Sequence, residues 1–390
     1  MKKKLIALAI TLFIGQIAIS QALYRAFPSD VLGEERNVKI LKPRNYSRNP
    51  EKTYPIVIVL DGDFLFEPVA GTVDYLSYWD QMPESFVVGI NQRESRYDES
   101  QINPESGFPE PQTLKFMDFV MELRQTMMNE YRVAPFTVIV AKDITANIAS
   151  YYLMRKKIAV NALIQIAPEY STLIQQKLMN ELSLLEEYNY FYVATPENDD
   201  SISKLITEKT DSLFASKKNL NLKHEKIAGS NTYTVAAHAI PRGLEFIFKK
   251  YQLIDKEKLI NEDFTEEIKF EEKENKKGMV RVIDRILEKY RMIKEIYGVE
   301  MKLRLIDLVT IADYVASKED WDQLIEIGLL AHKEYPDILY GHYIEGLGYE
   351  GLGRPSRAIK AFNAAYSLEP AVGITKDDVL DKVELLQEKE

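Results

Sequence analysis

The sequence has no cysteine among its 390 residues and contains only two tryptophans and four histidines. The absence of cysteine excludes disulfides, thiolate metal sites, a cysteine nucleophile and a lipid-modified N-terminal cysteine. The histidines show neither H-E-x-x-H nor a comparable spacing, so we expect no metal site, and no cofactor motif is present. The fold must therefore depend on its hydrophobic core, for which 46% hydrophobic residues are ordinary.

The sequence has fewer positive than negative residues: it contains 50 lysines and arginines and 60 aspartates and glutamates, which give a net charge of -10. Nucleic-acid binding depends on clustered Lys and Arg that contact phosphates. We therefore expect no nucleic-acid partner. Long apolar runs are also absent after the first twenty residues, so no later segment is expected to cross a membrane.

The N-terminus has the three parts of an export signal. Lysines at positions 2 to 4 precede an apolar run from Leu5 to Ile19, and Ala18-Ile19-Ser20 forms a small-x-small cleavage site before Gln21. An uncleaved anchor is the alternative, but a membrane span needs about 20 apolar residues and this run is shorter. We therefore expect residues 1–20 to be a signal peptide and the mature protein to be exported, either periplasmic or associated with the cell surface.

Residues 21–255 alternate short apolar runs with helical patterns, which is typical of a mostly parallel sheet covered by helices on both faces. Buried parallel strands are continuous apolar runs, and the segments PIVIVLDG and SFVVGIN are of this kind. The predicted strands are 38–41, 56–60, 86–90, 136–140, 162–167 and 190–194. The predicted helices include 114–130 and 146–155.

Beyond about residue 255 the strand signals stop and the pattern is helical. Residues 256–300 carry charges of both signs and are predicted to form a charged helical linker. Residues 301–390 are predicted to be an all-α tail similar to tetratricopeptide repeats, with one good repeat defined by Ala331, Gly346, Tyr349, Gly351, Gly353, Ala358, Phe362, Ala365, Leu368 and Pro370. One or two repeats bury their faces poorly, so we expect the tail to contact the α/β domain or a protein partner.

The tail also contains the string G-x-G-x-x-G, from Gly346 to Gly351. A dinucleotide site needs this string between a strand and a helix of a βαβ unit. Here helices are predicted on both sides. We therefore expect these glycines to lie where helices cross, with no nucleotide bound.

Several segments carry a family resemblance, although each is weak alone. They are SDVLGEERNVKILKPRNY (29–46), YPIVIVLDGDFLF (54–66), VAGTVDYLS (69–77), MPESFVVGINQRESRYDES (82–100), FMDFVMELRQTMMNEYRV (116–133) and HAIPRGLEFIF (238–248). Together they resemble the Putative esterase branch of the α/β-hydrolase family, which includes ferric-enterobactin esterases, S-formylglutathione hydrolases and feruloyl esterases. The resemblance covers residues 29–250 and implies an α/β-hydrolase fold. Some members of the branch also have a tetratricopeptide-like tail.

The resemblance implies a general base, an orienting acid and an oxyanion hole. His238 takes the place of the base, on a loop before the last helix, and a half-buried loop histidine is the alternative interpretation. The acid is expected in TPENDD, where we choose Glu197 over Asp199 and Asp200. The oxyanion hole would be formed by backbone N–H groups near Gly62 and Asp63 and by that of Ile144.

The nucleophile is the point at which the sequence departs from the family. The segment FTVIV is a strand, TANIAS begins a helix, and the family places G-x-S-x-G between them. This sequence has Ala141-Lys142-Asp143-Ile144-Thr145, with Asp143 in the place of the serine. The nearby hydroxyls of Thr145 and Ser150 are not expected to point at His238.

Three hypotheses for Asp143 remain open. The carboxylate could cap the N-terminus of the helix that begins at Ile144, without any chemistry. It could attack sp³ carbon, as in haloalkane dehalogenases and epoxide hydrolases, although β-branched Thr145 crowds the approach. Hydrolysis could also proceed through another residue.

The sequence therefore predicts an exported esterase-like protein and leaves open whether it is an enzyme. The first hypothesis is a degenerate hydrolase that serves as a binding or scaffold module. The second is an active hydrolase that uses His238 with Asp143 or another nucleophile. The expected partners are a protein contacted by the helical tail and a small ester-like ligand.

Overall fold

A computed structural model describes residues 22–154, 159–185, 188–199, 220–255 and 281–388. The chain divides into two compact units, Met1–Lys249 and Lys250–Glu390. The predicted signal peptide and residues 256–280 of the predicted linker lie outside the described residues. No helix within the described residues is both long and apolar enough to span a membrane.

The first unit contains an eight-stranded sheet with the order β1-β2-β4-β3-β5-β6-β7-β8. β1 and β2 pair antiparallel, β2 and β4 pair antiparallel, and all other neighbours are parallel. This confirms the predicted mostly parallel sheet. The strands are β1 Ala22–Ser29, β2 Glu34–Leu41, β3 Tyr54–Val59, β4 Phe86–Ile90, β5 Val133–Lys142, β6 Ala162–Ile166, β7 Asn189–Pro196 and β8 Leu220–Ile227.

The two outermost strands, β1 and β8, were not predicted from the sequence. Both are edge strands, and β8 reads LNLKHEKI, with charged residues and without a continuous apolar run. Charged residues are frequent on edge strands because they oppose pairing with other chains. In contrast, the residues from Ile56 to Val59 in central β3, and Leu60 directly after it, have no exposed surface. Continuous apolar runs in the sequence thus identify the central strands of the sheet but not its two edge strands.

Helices cover the sheet in the first unit. They are α1 Phe66–Tyr78, α2 Pro111–Glu130, α3 Ile144–Ala149, α4 Thr172–Leu184 and α5 Val235–Ile247, with 3₁₀ turns at Asp98–Ser100 and Ser150–Tyr152. Gly243 of α5 lets the helix lie close to the sheet, since a Cβ there would be 2.9 Å from side-chain atoms of Ile164 and Tyr192. The parallel strands β3 to β8 end at one edge of the sheet, which we call the carboxyl edge.

The described part of the second unit contains helices and no strand, as predicted. The helices are α6 Val282–Tyr297, α7 Leu305–Ser317, α8 Trp321–Glu334, α9 Tyr340–Gly351, α10 Pro355–Tyr366 and α11 Lys376–Gln387. The G-x-G-x-x-G string lies inside α9. A Cβ at Gly346 would be 2.6 Å from the Phe362 ring, and one at Gly348 would be 2.6 Å from Ile325. These glycines therefore allow close helix packing, and no strand precedes them as a dinucleotide site requires.

Candidate functional site

Asp143 lies in a tight turn where β5 ends and α3 begins. Its φ of 54° and ψ of -123° are unusual for a residue with a Cβ. The backbone holds the turn: the Asp143 N–H donates to the Ile166 carbonyl at 2.9 Å, and the Ala146 N–H donates to the Asp143 carbonyl at 3.1 Å. Such strain persists only where the surroundings impose it and is frequent at functional sites.

The Asp143 side chain does not cap α3. The residue occupies the N-cap position, but its carboxylate accepts no hydrogen bond from the helix backbone. Instead, its two oxygens accept from Lys142 Nζ at 2.6 and 2.8 Å, and Arg96 Nη2 lies 3.7 Å away. The capping hypothesis was wrong in this respect, because two cations offer the carboxylate a stronger interaction than a neutral amide.

A second aspartate, Asp61, lies two residues after the end of β3, the strand that neighbours β5. It also has a positive φ, 58°, and is 1% exposed. Its carboxylate accepts from Arg96 Nε at 2.6 Å and Nη2 at 3.2 Å, and from Thr145 Oγ1 at 2.7 Å. Arg96 Nη2 also donates to the Lys142 carbonyl at 3.0 Å. Arg96 therefore ties the end of β3 to the end of β5.

The charges of this network act on one another. Burial raises the pKa of the Asp61 carboxyl, although Arg96 and Thr145 favour its ionised form and nearby Asp143 disfavours it. Burial alone would lower the pKa of the Arg96 guanidinium. Its hydrogen bonds and charge interactions with Asp61, together with the charge of Asp143, raise that pKa instead. Arg96 is therefore charged, and Asp61 and Asp143 are carboxyl groups that stabilise this charge.

Two backbone amides near the turn have no acceptor within the part of the chain that the structure describes. The Gly62 N–H donates to the Ile90 carbonyl at 2.7 Å, so it is already used. In contrast, neither the Asp63 N–H nor the Ile144 N–H donates to any residue that the structure describes. The Asp63 carboxylate holds the loop after β4 by accepting from the backbone N–H groups of Gln92 and Arg93. The oxyanion-hole assignment of Asp63 and Ile144 stays a prediction, with Gly62 removed from it.

His238 lies in the first turn of α5. The predicted position, on the loop before this helix, was wrong. Its side chain is exposed and makes no hydrogen bond or ion pair with a described residue. The loop that does precede α5, residues 228–234, has the sequence AGSNTYT and contains no histidine. The helix begins earlier than expected because Val235 and Ala239 belong to its buried face, which leaves His238 on the outer face.

Glu197 follows β7 directly, and its carboxylate accepts from the Gly229 N–H at 2.9 Å. It therefore supports the loop between β8 and α5, and it makes no hydrogen bond to a histidine among the described residues. Among the described residues, Asp143, His238 and Glu197 share no hydrogen bond with one another: Asp143 pairs with Lys142 and Arg96, and Glu197 pairs with the loop. The structure does not join them as a hydrogen-bonded triad.

The nearby hydroxyls are engaged elsewhere. Thr145 is buried and bonded to Asp61. Ser150 is also buried, and its Oγ contacts the Tyr170 hydroxyl at 2.9 Å and Gln165 Nε2 at 2.6 Å. Neither has a histidine partner among the described residues, where no group of three or more His, Asp or Glu is placed to hold a metal ion.

Sequence reasoning missed the two residues that organise the network, Asp61 and Arg96. Asp61 stands directly after a buried strand in VLDGDF, and its position at a strand end could have marked it. Arg96 lies in an irregular loop after β4, where no periodicity identifies its partner.

A mostly parallel sheet covered by helices, with a strained strand-to-helix turn at its carboxyl edge, defines an α/β-hydrolase fold. Residues 29–146 match the model of the family described as Putative esterase. Over these residues the α/β unit is similar to this family, and the helical tail lies outside the matched residues.

Solved structures support the same fold. An uncharacterised protein from Capnocytophaga ochracea is similar, with a TM-score of 0.75, 22% identity, and coverage of 94% of this chain and 100% of that one. An IroE-like serine hydrolase from Shewanella oneidensis is also similar, with a TM-score of 0.57, 17% identity, and coverage of 80% of this chain and 99% of that one. At these identities the likeness concerns the fold alone. No curated protein matches the sequence.

Proposed function

We propose that this protein is an exported, catalytically degenerate esterase-fold protein in which Asp143 stands in the nucleophile position. In this proposal the protein acts as a binding or scaffold module, periplasmic or at the cell surface. The observation that carries it is the state of Asp143, whose carboxylate sits in a turn of elbow shape and is held by Lys142 Nζ.

Three chemical arguments support loss of esterase activity. A carboxylate attacking an ester gives an anhydride, so it is a poor acyl acceptor. The carboxylate also carries its negative charge before the reaction begins, whereas an oxyanion hole stabilises negative charge that develops in the transition state. Finally, no histidine is bonded to Asp143 among the described residues, and the loop before α5 has none to offer.

A second candidate is a hydrolase with Asp143 as its nucleophile, acting on an ester or a related small molecule. Two observations favour it. The strained backbone at Asp143 is retained, although a cap would not need it, and the amides of Asp63 and Ile144 have no acceptor among the described residues. Such an enzyme would need its carboxylate free from Lys142, and His238 makes no hydrogen bond or ion pair with a described residue that would position it as a base.

Hydrolysis assays on the purified protein distinguish the two candidates. We expect no labelling by a fluorophosphonate probe, and hydrolysis of short-chain p-nitrophenyl esters no faster than by an Asp143→Ala variant. Asp80→Ala is a matched control, since Asp80 is an exposed aspartate with a φ of 55° after α1. Turnover that is lost in Asp143→Ala and Asp143→Asn, but kept in Asp80→Ala, would establish the carboxylate-nucleophile enzyme.

Asp143→Ser is the complementary variant. We expect it to remain inactive, because restoring the hydroxyl does not restore a base to deprotonate it. Clear esterase activity in this variant, lost again on changing His238 to Ala, would mean that His238 reaches the turn and would contradict the degenerate interpretation.

The tail is the part of the molecule that we propose to contact a protein partner, in the manner of tetratricopeptide-like repeats. Its helices are amphipathic and form their own cores, and Leu329, Tyr366 and Leu385 remain more than one third exposed. A chain ending at residue 249, where the first unit ends, tests this role. Equal recovery of co-purifying proteins with the shortened and the full chain would exclude the tail as the contact surface.

A further inference from the structure

Two histidines of the tail stack against each other between consecutive helices. His332 lies in the last turn of α8 and His342 in the first turn of α9. Their ring centroids are 4.0 Å apart, with 34° between the ring planes. The backbones of α8 and α9 are also in close contact here, since a Cβ at Gly341 would overlap the backbone of His332. The stacked rings therefore lie where the backbones of α8 and α9 are in close contact.

The two rings have different surroundings. His342 Nδ1 lies 3.0 Å from Glu345 Oε2 on the same helix, so a carboxylate is available to its protonated form. His332 Nδ1 is buried and has no hydrogen-bond partner among the described residues. Protonation places a proton on both ring nitrogens, and the Nδ1 proton of His332 would have no acceptor.

The charged groups around the pair do not remove this cost. Burial lowers the pKa of His332, the neighbouring His342 lowers it further, and only Glu345 opposes them. On α8 the adjacent Lys333 adds positive charge and Glu334 negative charge, while on α7 Asp313 acts on Tyr340, next to the pair. Glu345 can compensate one protonated imidazole through His342, and a second positive ring stacked on the first would be repelled.

We propose that the His332–His342 pair is a pH-sensitive contact that holds α8 against α9 at neutral pH and weakens this packing under mild acid. The sign follows from linkage. Because the folded state holds the His332 proton less tightly than the unfolded state, the unfolded tail gains protons first as the pH falls below about 6.5. The stability of the tail should therefore decrease from pH 7 towards pH 5.

Trp321 provides a local probe, because the chain has two tryptophans and the other, Trp79, is 57% exposed in the first unit. In a Trp79→Phe background of the full chain, Trp321 fluorescence reports unfolding of α8. We expect its thermal midpoint to fall by about 4 °C between pH 7 and pH 5. His332→Phe keeps a ring in the stack and removes its charge, so its midpoint should fall by clearly less over the same range.

His238→Phe is the control, since it removes one exposed histidine in the other unit and should retain the full decrease. If His332→Phe does not fold, His332→Gln serves the same purpose. Imidazole NMR titration gives an independent measurement on the four histidines. A decrease in His332→Phe equal to that of the Trp79→Phe parent, or titration of His332 at or above 6.5, would overturn the proposal.

Discussion

At the scale of single residues, three neighbouring strands end in the same unusual way. Asp61 after β3, Asp143 after β5 and Ala167 after β6 all have positive φ values, between 48° and 58°. Each such residue costs of order 1–3 kcal/mol and requires support from its surroundings. For both aspartates this support includes Arg96. The carboxyl edge of the sheet therefore has strained backbone geometry, and the side chains of Asp61 and Asp143 at this edge form ion pairs.

This dependence predicts the effect of removing Arg96. Arg96→Met leaves Asp61 buried without its cation and close to Asp143, and breaking such a pair typically costs about 3–5 kcal/mol. We expect the first unit to lose at least about 2 kcal/mol, since Arg96 is 27% exposed and part of the interaction is screened by solvent. Chemical denaturation monitored by circular dichroism provides the measurement.

Arg93→Met is the matched control, because Arg93 is an exposed residue of the same loop whose guanidinium makes no hydrogen bond or ion pair with a described residue. Its stability should change by less than about 0.5 kcal/mol. Equal losses in the two variants would show that the loop, and not the ion pair, determines stability. Asp61→Asn combined with Arg96→Met should recover part of the loss, since no buried charge then remains unpaired.

At the scale of secondary-structure elements, close helix contacts in the tail depend on missing side chains. A Cβ on Gly328 of α8 would be 2.6 Å from the backbone N of Glu345 and 2.7 Å from the backbone O of Gly341, both on α9. Backbone atoms in a helix cannot move aside individually, so the helices themselves would have to separate. The sequence signalled this packing through its small residues but not which of them were essential.

We therefore predict opposite effects for two glycine substitutions. Gly328→Ala should destabilise the tail by about 1–3 kcal/mol, because the added methyl overpacks the α8–α9 contact. Gly71→Ala, on the exposed face of α1, should stabilise the first unit by about 0.5–1 kcal/mol, since nothing lies within 4 Å of its added Cβ and alanine favours the helix. Thermal unfolding, with Trp321 fluorescence for the tail, would refute this explanation if both changes had the same sign.

At the scale of the whole molecule, the segment that follows α5 belongs to the tail. The Ile254 N–H donates to Asp307 Oδ1 at 2.7 Å, and Arg304 Nη1 donates to the Tyr251 carbonyl at 2.9 Å. Lys289 Nζ donates to the Gln252 carbonyl. Asp307 is fully buried. Residues 251–254 thus provide backbone hydrogen-bond partners for charged groups inside the helical unit.

This contact predicts where the tail can be cut. A fragment of residues 250–390 should fold, whereas a fragment of residues 256–390 should lose about 3 kcal/mol or more, because buried charged groups would lose their backbone partners. Urea denaturation of the two fragments gives the comparison. Equal stabilities would show that residues 250–255 are not needed by the tail.

The sequence by itself determined the central strands, the helical tail and the position of Asp143 between a strand and a helix. These features are local, since apolar runs, helical periodicity and turn residues act within a few positions of one another. It also identified the α9 glycines as packing positions. The edge strands β1 and β8 were not predicted because their sequences contain no continuous apolar run.

Only the tertiary structure decided what Asp143 touches. Arg96 is 47 residues from Asp143 in the sequence, and Asp61 is 82 residues away; they meet because β3 and β5 are neighbours and the loop after β4 folds over their ends. Likewise, α5 begins at Val235, so His238 lies on an exposed helix face and not on the predicted loop. Such contacts depend on strand order and helix boundaries, which arise from packing across the whole sheet and leave no periodic signal in the sequence.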